Sequence, residues 1–189
     1  RGANVFRPSD HGQTFTTVGQ AHAPQTRVDE HMIVERRDGS LWMLIRTTWG
    51  MAQSVSTDGG RTWTPGTAFL EGANVANKRF FLRRLQSGAL LLVRNNGPSE
   101  KRSHLTAFVS DDDGATWQGG LLLEERLGAA YPDGTQAPDG TIYVVHDFVR
   151  AGEGVVRLAV FREEDARAGR PVTPHVRLNA EISRLRPPK

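Results

Sequence analysis

Ser56-Thr57-Asp58-Gly59-Gly60-Arg61-Thr62-Trp63 is matched almost letter for letter by Ser110-Asp111-Asp112-Asp113-Gly114-Ala115-Thr116-Trp117. Both segments read S-x-D-x-G-x-T-W. A third copy, Pro8-Ser9-Asp10-His11-Gly12-Gln13-Thr14-Phe15, keeps the aspartate, the glycine and the threonine. The three aspartates lie 48 and 54 residues apart. Self-similarity at a period near 50 residues is typical of a repeat architecture, in which each repeat forms one structural unit.

A second pattern with the same period lies between these copies. Apolar runs flank a turn dipeptide at Asp38-Gly39, at Ser87-Gly88 and at Asp139-Gly140. Because glycine accepts the positive φ that a tight turn requires, each dipeptide predicts a β-hairpin. A further strand, such as 105–109, and the S-x-D-x-G-x-T-W turn complete each repeat. Four short strands in about fifty residues are typical of a propeller blade.

The predicted fold class is therefore all-β, a β-propeller of four-stranded antiparallel blades. The chain provides about three blades plus part of another: the end of a blade at 1–20, blades at 21–70 and 71–125, and a last blade with a C-terminal strand at 126–189. One helical turn is predicted near Glu163-Glu164-Asp165. The chain starts inside a repeat, so we expect another segment of the same gene, a cleaved partner or a second copy in a homodimer to complete the ring.

Composition excludes several classes of protein. Hydrophobic residues make up 38% and charged residues 24% of the chain, which is the balance of a folded soluble domain. The pI near 9.8 is the only feature that points to nucleic acid. No basic motif interleaved with aromatic residues accompanies it, so no nucleic-acid partner is predicted. Absence of cysteine excludes disulfides and thiolate metal sites, and no apolar run approaches the ~20 residues of a membrane span.

The S-x-D-x-G-x-T-W segments resemble the Asp-box of the sialidase superfamily. This resemblance implies structural roles for Asp10, Asp58 and Asp112, whose carboxylates can accept backbone N–H groups within their turns. The alternative is a set of calcium-binding or catalytic carboxylates. Since the three lie one per blade at the outer rim, they are expected to be too far apart to converge on one ligand.

Residues 29–46 resemble the bacterial sialidase motif D-E-x-x-V-V-E-x-x-D-G-x-x-x-L-x-x-R, which precedes an Asp-box. The resemblance implies that Glu30 is the general base and that Arg46, 16 residues later, binds the carboxylate of the sugar. Arg102 lies ten residues before Asp112, where the family has its next arginine. Tyr131 matches the tyrosine nucleophile ahead of an Asp-Gly hairpin. The resemblance covers nearly the whole chain and implies the C-terminal half of a six-bladed sialidase propeller.

The chemistry of an acidic sugar explains this group of residues. Arginine binds carboxylates through paired, charge-assisted hydrogen bonds. A neutral tyrosine is not repelled by the substrate carboxylate, and sialidases with a tyrosine nucleophile are a known exception among glycosidases. The chain departs from the family after Tyr131, because Pro132 stands where serine is usual. Another acidic sugar is therefore an alternative to sialic acid.

Each candidate has a plainer alternative. Glu30 is otherwise a solvated loop residue, Arg46 a structural strand arginine, Arg102 a rim charge and Tyr131 a packed turn residue. His31 and Arg79 complete the set as substrate-binding candidates. For His31 the alternative is a hydrogen-bonded strand histidine, and Arg79 is included because it lies beside Phe80-Phe81.

These observations predict a sialidase-like exo-glycoside hydrolase that acts on sialic acid or another acidic sugar, without metal or organic cofactor. The family's first carboxylate-binding arginine and its acid/base aspartate belong to earlier blades, so the chain alone is expected to be weakly active or inactive. The alternative is a non-catalytic Asp-box module that binds glycans or protein, because Asp-boxes indicate a fold and not an activity. The resemblance points to a bacterial protein, and its compartment, secreted or periplasmic, stays open.

Overall fold

Antiparallel β-structure dominates the chain. The computed structural model describes residues 2–26, 30–70, 76–98 and 101–185. These residues form three four-stranded sheets and one two-stranded sheet. The chain divides into an N-terminal unit (residues 1–77) and a C-terminal unit (residues 78–189).

The N-terminal unit contains two sheets. A hairpin of β1 (Ala3–Ser9) and β2 (Thr14–Ala21), joined by a 3₁₀ turn at Asp10–Gly12, forms the first sheet. The second sheet has four antiparallel strands in chain order: β3 (His31–Glu35), β4 (Leu41–Arg46), β5 (Met51–Ser56) and β6 (Thr67–Ala68).

The C-terminal unit contains two four-stranded sheets, each with its strands in chain order. The first consists of β7 (Phe81–Arg84), β8 (Leu90–Asn95), β9 (Leu105–Ser110) and β10 (Gln118–Glu124). The second consists of β11 (Ala129–Gln136), β12 (Ile142–Phe148), β13 (Val155–Phe161) and β14 (Arg177–Arg184). A helix, α1 (Glu163–Ala168), lies between β13 and β14 in the chain.

Each four-stranded sheet falls within one predicted blade range, since the sheets span residues 31–68, 81–124 and 129–184. The up-and-down order of four antiparallel strands is that of a propeller blade. The predicted all-β class of four-stranded antiparallel blades is confirmed, and α1 covers the predicted helical turn at 163–165.

In two of the four-stranded sheets the second strand is buried without a break. Residues 42–45 of β4 and 90–93 of β8 are each at most 1% exposed. Because successive side chains of a strand point to opposite faces, an unbroken buried run means that both faces of the sheet are covered. In the C-terminal unit β11 packs against β7 and β8. In the N-terminal unit the two sheets share an apolar cluster: Ala3, Ala21, Ala23, Met43, Ile45 and Ala52.

The three hairpin turns predicted between first and second strands are confirmed. Gly39, Gly88 and Gly140 have φ values of 81°, 88° and 86°. In each turn the amide of the glycine donates to the carbonyl three residues earlier, over 2.9–3.0 Å. A residue with a Cβ is strained at such φ values, which explains the glycine that recurs at these positions.

The S-x-D-x-G-x-T-W turns connect the third strand of a blade to the fourth. The Asp58 carboxylate accepts the amide and hydroxyl of Thr62, at 2.9 and 2.6 Å, and Asp112 accepts the same groups of Thr116, at 2.8 and 2.5 Å. In the shorter β1–β2 turn Asp10 accepts the Thr14 amide at 2.7 Å. Hydrogen bonds from Thr62 hold the pKa of Asp58 far below its usual value. Those from Thr116 lower the pKa of Asp112 to about 2.

The strand order separates two edges of every blade. The first and third strands start at one edge, where the second strand ends, and we call this the start edge. Both the glycine hairpins and the S-x-D-x-G-x-T-W turns lie at the opposite edge. Asp58 and Asp112 therefore lie at the edge of their sheet opposite the start edge. Their carboxylates accept hydrogen bonds within the turn and stabilise it.

Candidate functional site

The other sequence-predicted residues lie at the start edges. In the N-terminal unit Glu30 directly precedes β3 and Arg46 is the last residue of β4. In the C-terminal unit Arg79 lies two residues before β7, Arg102 lies three residues before β9, and Tyr131 is the third residue of β11. Within each unit, the fold thus gathers polar candidates at the edge where first and third strands begin.

Glu30 and Arg46 form an ion pair in the N-terminal unit. Nη1 of Arg46 donates to Oε2 of Glu30, and the Arg46 amide donates to the Glu30 carbonyl at 3.0 Å. Nε of Arg46 donates to the Asn77 carbonyl at 2.8 Å, which fixes the plane of the guanidinium. Nη2 makes no hydrogen bond to a described residue. A pre-oriented guanidinium with an unused donor can accept a carboxylate from solution.

His31 is placed by a backbone contact. Its Nε2 lies 3.0 Å from the Asn4 carbonyl on β1, and the side chain is half-buried. This is the arrangement of a hydrogen-bonded strand histidine. Asp29, the other residue of the Asp-Glu dipeptide in the motif, lies outside the described residues.

Arg102 and Tyr131 meet in the C-terminal unit. The guanidinium carbon of Arg102 lies 5.2 Å from the centroid of the Tyr131 ring. A second guanidinium, that of Arg150, lies 4.5 Å from the same centroid. Each distance is within the range of a cation–π contact, about 6 Å. Two cations therefore lie against one aromatic ring.

The backbone at Tyr131 is strained. Its φ is 51°, in the left-handed region, although the residue precedes a proline, a position that favours extended conformations. The strain coincides with a bulge, since the β11–β12 register shifts between Ala130 and Asp133. Bulges re-aim side chains, and strained residues cluster at functional sites. Because a regular strand would send this side chain elsewhere, the bulge is what points Tyr131 at the two arginines.

Buried polar contacts fix the Arg102 segment. The Arg102 carbonyl accepts the amides of Gly128 and Ala129, at 2.8 and 3.1 Å. Asn95, which is 1% exposed, donates from Nδ2 to the carbonyls of Ser103 and Ala129, each at 3.2 Å. These bonds join the end of β8 to the residues beside Arg102 and Tyr131. Asn95 is therefore a positioning residue that the sequence did not single out.

A cavity of about 280 Å³ lies beside this cluster and is lined by Arg102, Gly128, Ala130, Val149, Arg150 and Ala151. The volume is near the lower end for small-molecule sites, about 300 Å³. Nη1 of Arg102 is buried and makes no hydrogen bond within the described part of the chain. A cationic donor of this kind in the wall of a cavity suits an anionic ligand.

Arg79 is placed apart from these contacts. Its Nε donates at 3.4 Å to the carbonyl of the adjacent Phe80. In the described ranges no hydrogen bond or ion pair joins it to Arg102 or Tyr131. Arg79 stays a prediction that these contacts do not support.

Arg150 was missed because it matches no family motif. Its signal is positional, since it lies in the loop between β12 and β13, and Arg102 lies in the corresponding β8–β9 loop of the preceding blade. Comparing equivalent loops of consecutive repeats would have found it.

A second cluster that sequence reasoning missed surrounds His146 on β12. The side chain is 1% exposed, and neither ring nitrogen makes a hydrogen bond to a described residue. Burial lowers its pKa to about 4, and the charges of Arg157 and Arg126 act in the same direction while Glu124 opposes them. Glu124 is also 1% exposed, and its ion pair with Arg126 outweighs burial and lowers its pKa.

We expect acid to destabilise the protein through His146. In the unfolded chain a histidine takes up its proton near pH 6.5, whereas the folded state resists protonation down to about pH 4. Between these values the unfolded state binds more protons, so the free energy of unfolding falls as the pH falls. The expected loss from this residue between pH 7 and pH 4 is about 3 kcal/mol. Urea unfolding measured between pH 7 and pH 4 tests it.

The control variants are His146→Leu and His175→Gln, since His175 is exposed on the same unit. The His146→Leu protein should lose about 3 kcal/mol less over this range than the wild type, and His175→Gln should follow the wild type. Parallel curves for wild type and His146→Leu would contradict the assignment.

A cavity of about 470 Å³ lies beside Trp63 and Pro24 in the N-terminal unit. Neither Glu30 nor Arg46 lines it. No group of three or more metal-ligating side chains is found in the described ranges. None of the helices in those ranges has the length and apolarity needed to cross a membrane.

The family model described as a BNR repeat-like domain matches residues 2–144. The sialidase of Micromonospora viridifaciens is 27% identical over an alignment of 148 residues that covers 73% of this chain and 22% of that protein. This chain thus spans about a fifth of the length of that relative.

Two solved structures show a similar fold. The Hadza microbial sialidase Hz136 matches with a TM-score of 0.67 and 21% identity, over 83% of this chain and 31% of that one. The α-L-arabinofuranosidase Arb93A from Fusarium graminearum matches with a TM-score of 0.52 and 14% identity, over 96% and 53%. At these identities the likeness concerns the fold alone. Since the family model covers most of the chain and the sequence relative is a sialidase, this chain belongs to the BNR repeat-like domain family of the sialidase-like superfamily.

Proposed function

We propose that this chain carries part of the catalytic domain of a sialidase-like exo-glycoside hydrolase that acts on glycosides of sialic acid or another acidic sugar. The observation that carries the proposal is the Tyr131 cluster. A tyrosine with a left-handed backbone lies within cation–π distance of two guanidinium groups, and those two arginines line a cavity of about 280 Å³. The likeness to sialidases in sequence and fold supports the same class.

Tyr131 has the role of nucleophile in this proposal. Its phenol oxygen gives its proton to a base and attacks the anomeric carbon while the bond from that carbon to the leaving oxygen breaks. The leaving oxygen takes a proton from a general acid, a role that the family resemblance gives to an aspartate of the earlier blades. Water then gives a proton back to that aspartate, displaces the tyrosyl oxygen and releases the sugar. A phenol is a weak nucleophile while protonated and needs a base, a role that the family resemblance gives to Glu30.

Arg102 has the role of binding the carboxylate of the sugar. Its carbonyl accepts two backbone amides and its guanidinium lies 5.2 Å from the Tyr131 centroid, so both its backbone and its side chain are in contact with the fold before the ligand arrives. A pre-organised charged donor loses little freedom on binding, which increases affinity. Arg46 has the same role in the N-terminal unit, where Asn77 and Glu30 orient it.

Covalent trapping tests the proposal directly. A fluorinated sialosyl fluoride and a fluorinated glucuronosyl fluoride form slow-hydrolysing glycosyl–enzyme adducts with retaining glycosidases. We expect one of them to add the mass of one sugar to the complete gene product, and peptide mass spectrometry to place it on Tyr131. An adduct on another residue, or no adduct with either reagent, contradicts the proposal. Saturable binding of the unmodified sugars without any adduct would favour the non-catalytic module.

A further inference from the structure

Arg150 lies in a loop whose backbone is strained. The loop joins β12 to β13, and its first residue, Val149, has a φ of 48°. A β-branched residue in the left-handed region is a genuine outlier, because its side chain crowds the backbone there. The same loop holds its shape through the Val149 carbonyl, which accepts the amides of Gly152 and Gly154 at 2.9 and 3.0 Å.

The loop is also fixed to the segment that precedes Tyr131. The Val149 amide donates to the Gly128 carbonyl at 3.1 Å. A Cβ on Gly128 would lie 2.8 Å from the Val149 side chain, so only glycine permits this approach. A strained valine and an obligatory glycine together bring Arg150 over the Tyr131 ring, at 4.5 Å. Strain of this kind is retained where the geometry it produces is used.

The charges at this site are unbalanced. Arg102 and Arg150 both lie within 5.2 Å of one ring centroid, and both line the same cavity. The acid beside Arg150 is Asp147, at 3.8 Å, and this is a long and partly exposed pair. The Arg150 side chain is 63% exposed, so solvent species can reach it. An anion in the cavity would relieve the repulsion between two neighbouring guanidinium groups.

We propose that Arg150 is a specificity-determining residue that selects acidic over neutral sugars at the cavity that Arg102 and Arg150 line. This inference rests on the proposed function, because it assigns the cavity to the sugar. Arg150 adds a second guanidinium to the lining of the cavity, so the carboxylate of a sugar bound there contacts two cations of this unit. A neutral sugar has no charge to pair with Arg150, yet its binding removes water from that guanidinium. The second cation therefore does not strengthen the binding of a neutral sugar.

Ligand binding by the complete gene product tests this without requiring turnover. The probes are N-acetylneuraminic acid and its methyl ester, and glucuronic acid and its methyl ester, measured by titration calorimetry or ligand-observed NMR. We expect at least one acid to bind more tightly than its ester. Arg150→Ala should weaken binding of that acid about 10-fold and change binding of the ester less than about 2-fold. Arg150→Lys should keep part of the preference because it keeps the charge.

Arg170→Ala is the matched control, since Arg170 is exposed on the same unit and the substitution removes the same charge. The inference is overturned when Arg150→Ala and Arg170→Ala have equal effects, or when Arg150→Ala weakens acid and ester alike. It is also overturned when neither acid is preferred by the wild type. These outcomes are independent of the trapping experiment, because a Tyr131 adduct can form whether or not Arg150 contributes selectivity.

Discussion

Tyr131→Phe is expected to lower kcat on a fluorogenic aryl glycoside of the accepted sugar by about 10³-fold or more. Loss of a nucleophile typically costs at least this factor, since only binding and electrostatic contributions remain. The substitution removes one oxygen and leaves the ring on which Arg102 and Arg150 lie. KM should therefore change little, because the guanidinium groups keep their places. Steady-state kinetics on the complete gene product measures both quantities.

Tyr143→Phe is the matched control, since the chain has two tyrosines and Tyr143 is 38% exposed on β12. It should retain wild-type kcat. If Tyr131→Phe keeps more than a tenth of the wild-type kcat, Tyr131 is not the nucleophile. Glu30→Gln adds a second test, because loss of a general base typically lowers kcat by about 10²-fold to 10⁴-fold.

The Glu30–Arg46 contact could be predicted from sequence because it depends on one hairpin. The turn at Asp38-Gly39 fixes the register of β3 against β4, and His31 is paired with Ile45. The next pair outward is Glu30 with Arg46, so a turn dipeptide and a count of residues suffice. The contact between Arg102 and Tyr131 joins two different sheets of the C-terminal unit. Its geometry depends on how β11 packs against β7 and β8, which no local pattern encodes.

The family motif predicts Tyr131, whereas its contacts with Arg102 and Arg150 are seen only in the structure. The bulge after Ala130 and the left-handed φ values of Tyr131 and Val149 cannot be read from residue types, since tyrosine and valine are ordinary strand formers. Arg150 depends on both features and was therefore missed.

His146 shows a signal that was present in the sequence. Ile142, Val144, His146 and Phe148 alternate with polar or less buried neighbours, and all four are buried. Period-two alternation therefore predicts that His146 faces the core. What the pattern does not reveal is the group of charges around it, because Glu124, Arg126 and Arg157 come from other strands and loops.

The short helix α1 depends on one carboxylate. Asp165 is fully buried and accepts four hydrogen bonds: from the amides of Arg162, Val172 and Thr173 and from the Thr173 hydroxyl, at 2.7–2.8 Å. Burial alone would raise the pKa of Asp165, but the bonds from Val172, Arg162 and Thr173 outweigh it and lower the pKa. The carboxylate thus caps α1 and holds the segment that follows.

Asp165→Ala is expected to lower the free energy of unfolding by about 3 to 5 kcal/mol at pH 7. Three backbone amides lose their acceptor, and each unsatisfied donor costs about 1–3 kcal/mol, less where water can enter. Asp165→Asn should lower the free energy of unfolding less than Asp165→Ala does, because one side-chain oxygen remains as an acceptor. It should still be destabilising, because the new amide NH₂ faces backbone donors. Glu164→Ala is the control, since Glu164 is exposed on the same helix and should change stability by less than about 0.5 kcal/mol.

Urea unfolding at pH 7 and pH 3 distinguishes the contribution of the Asp165 charge to stability from that of its side-chain volume. Because the folded pKa of Asp165 is depressed, its contribution is fully present above the unfolded value near 3.8 and is lost as the pH falls through the folded value. The difference between wild type and Asp165→Ala should therefore narrow at pH 3. An equal difference at both pH values would mean that side-chain volume holds α1 in place. A difference within 0.5 kcal/mol at pH 7 would show that the four hydrogen bonds do not fix this end of the blade, and that the contacts of α1 with β9 and β10 suffice.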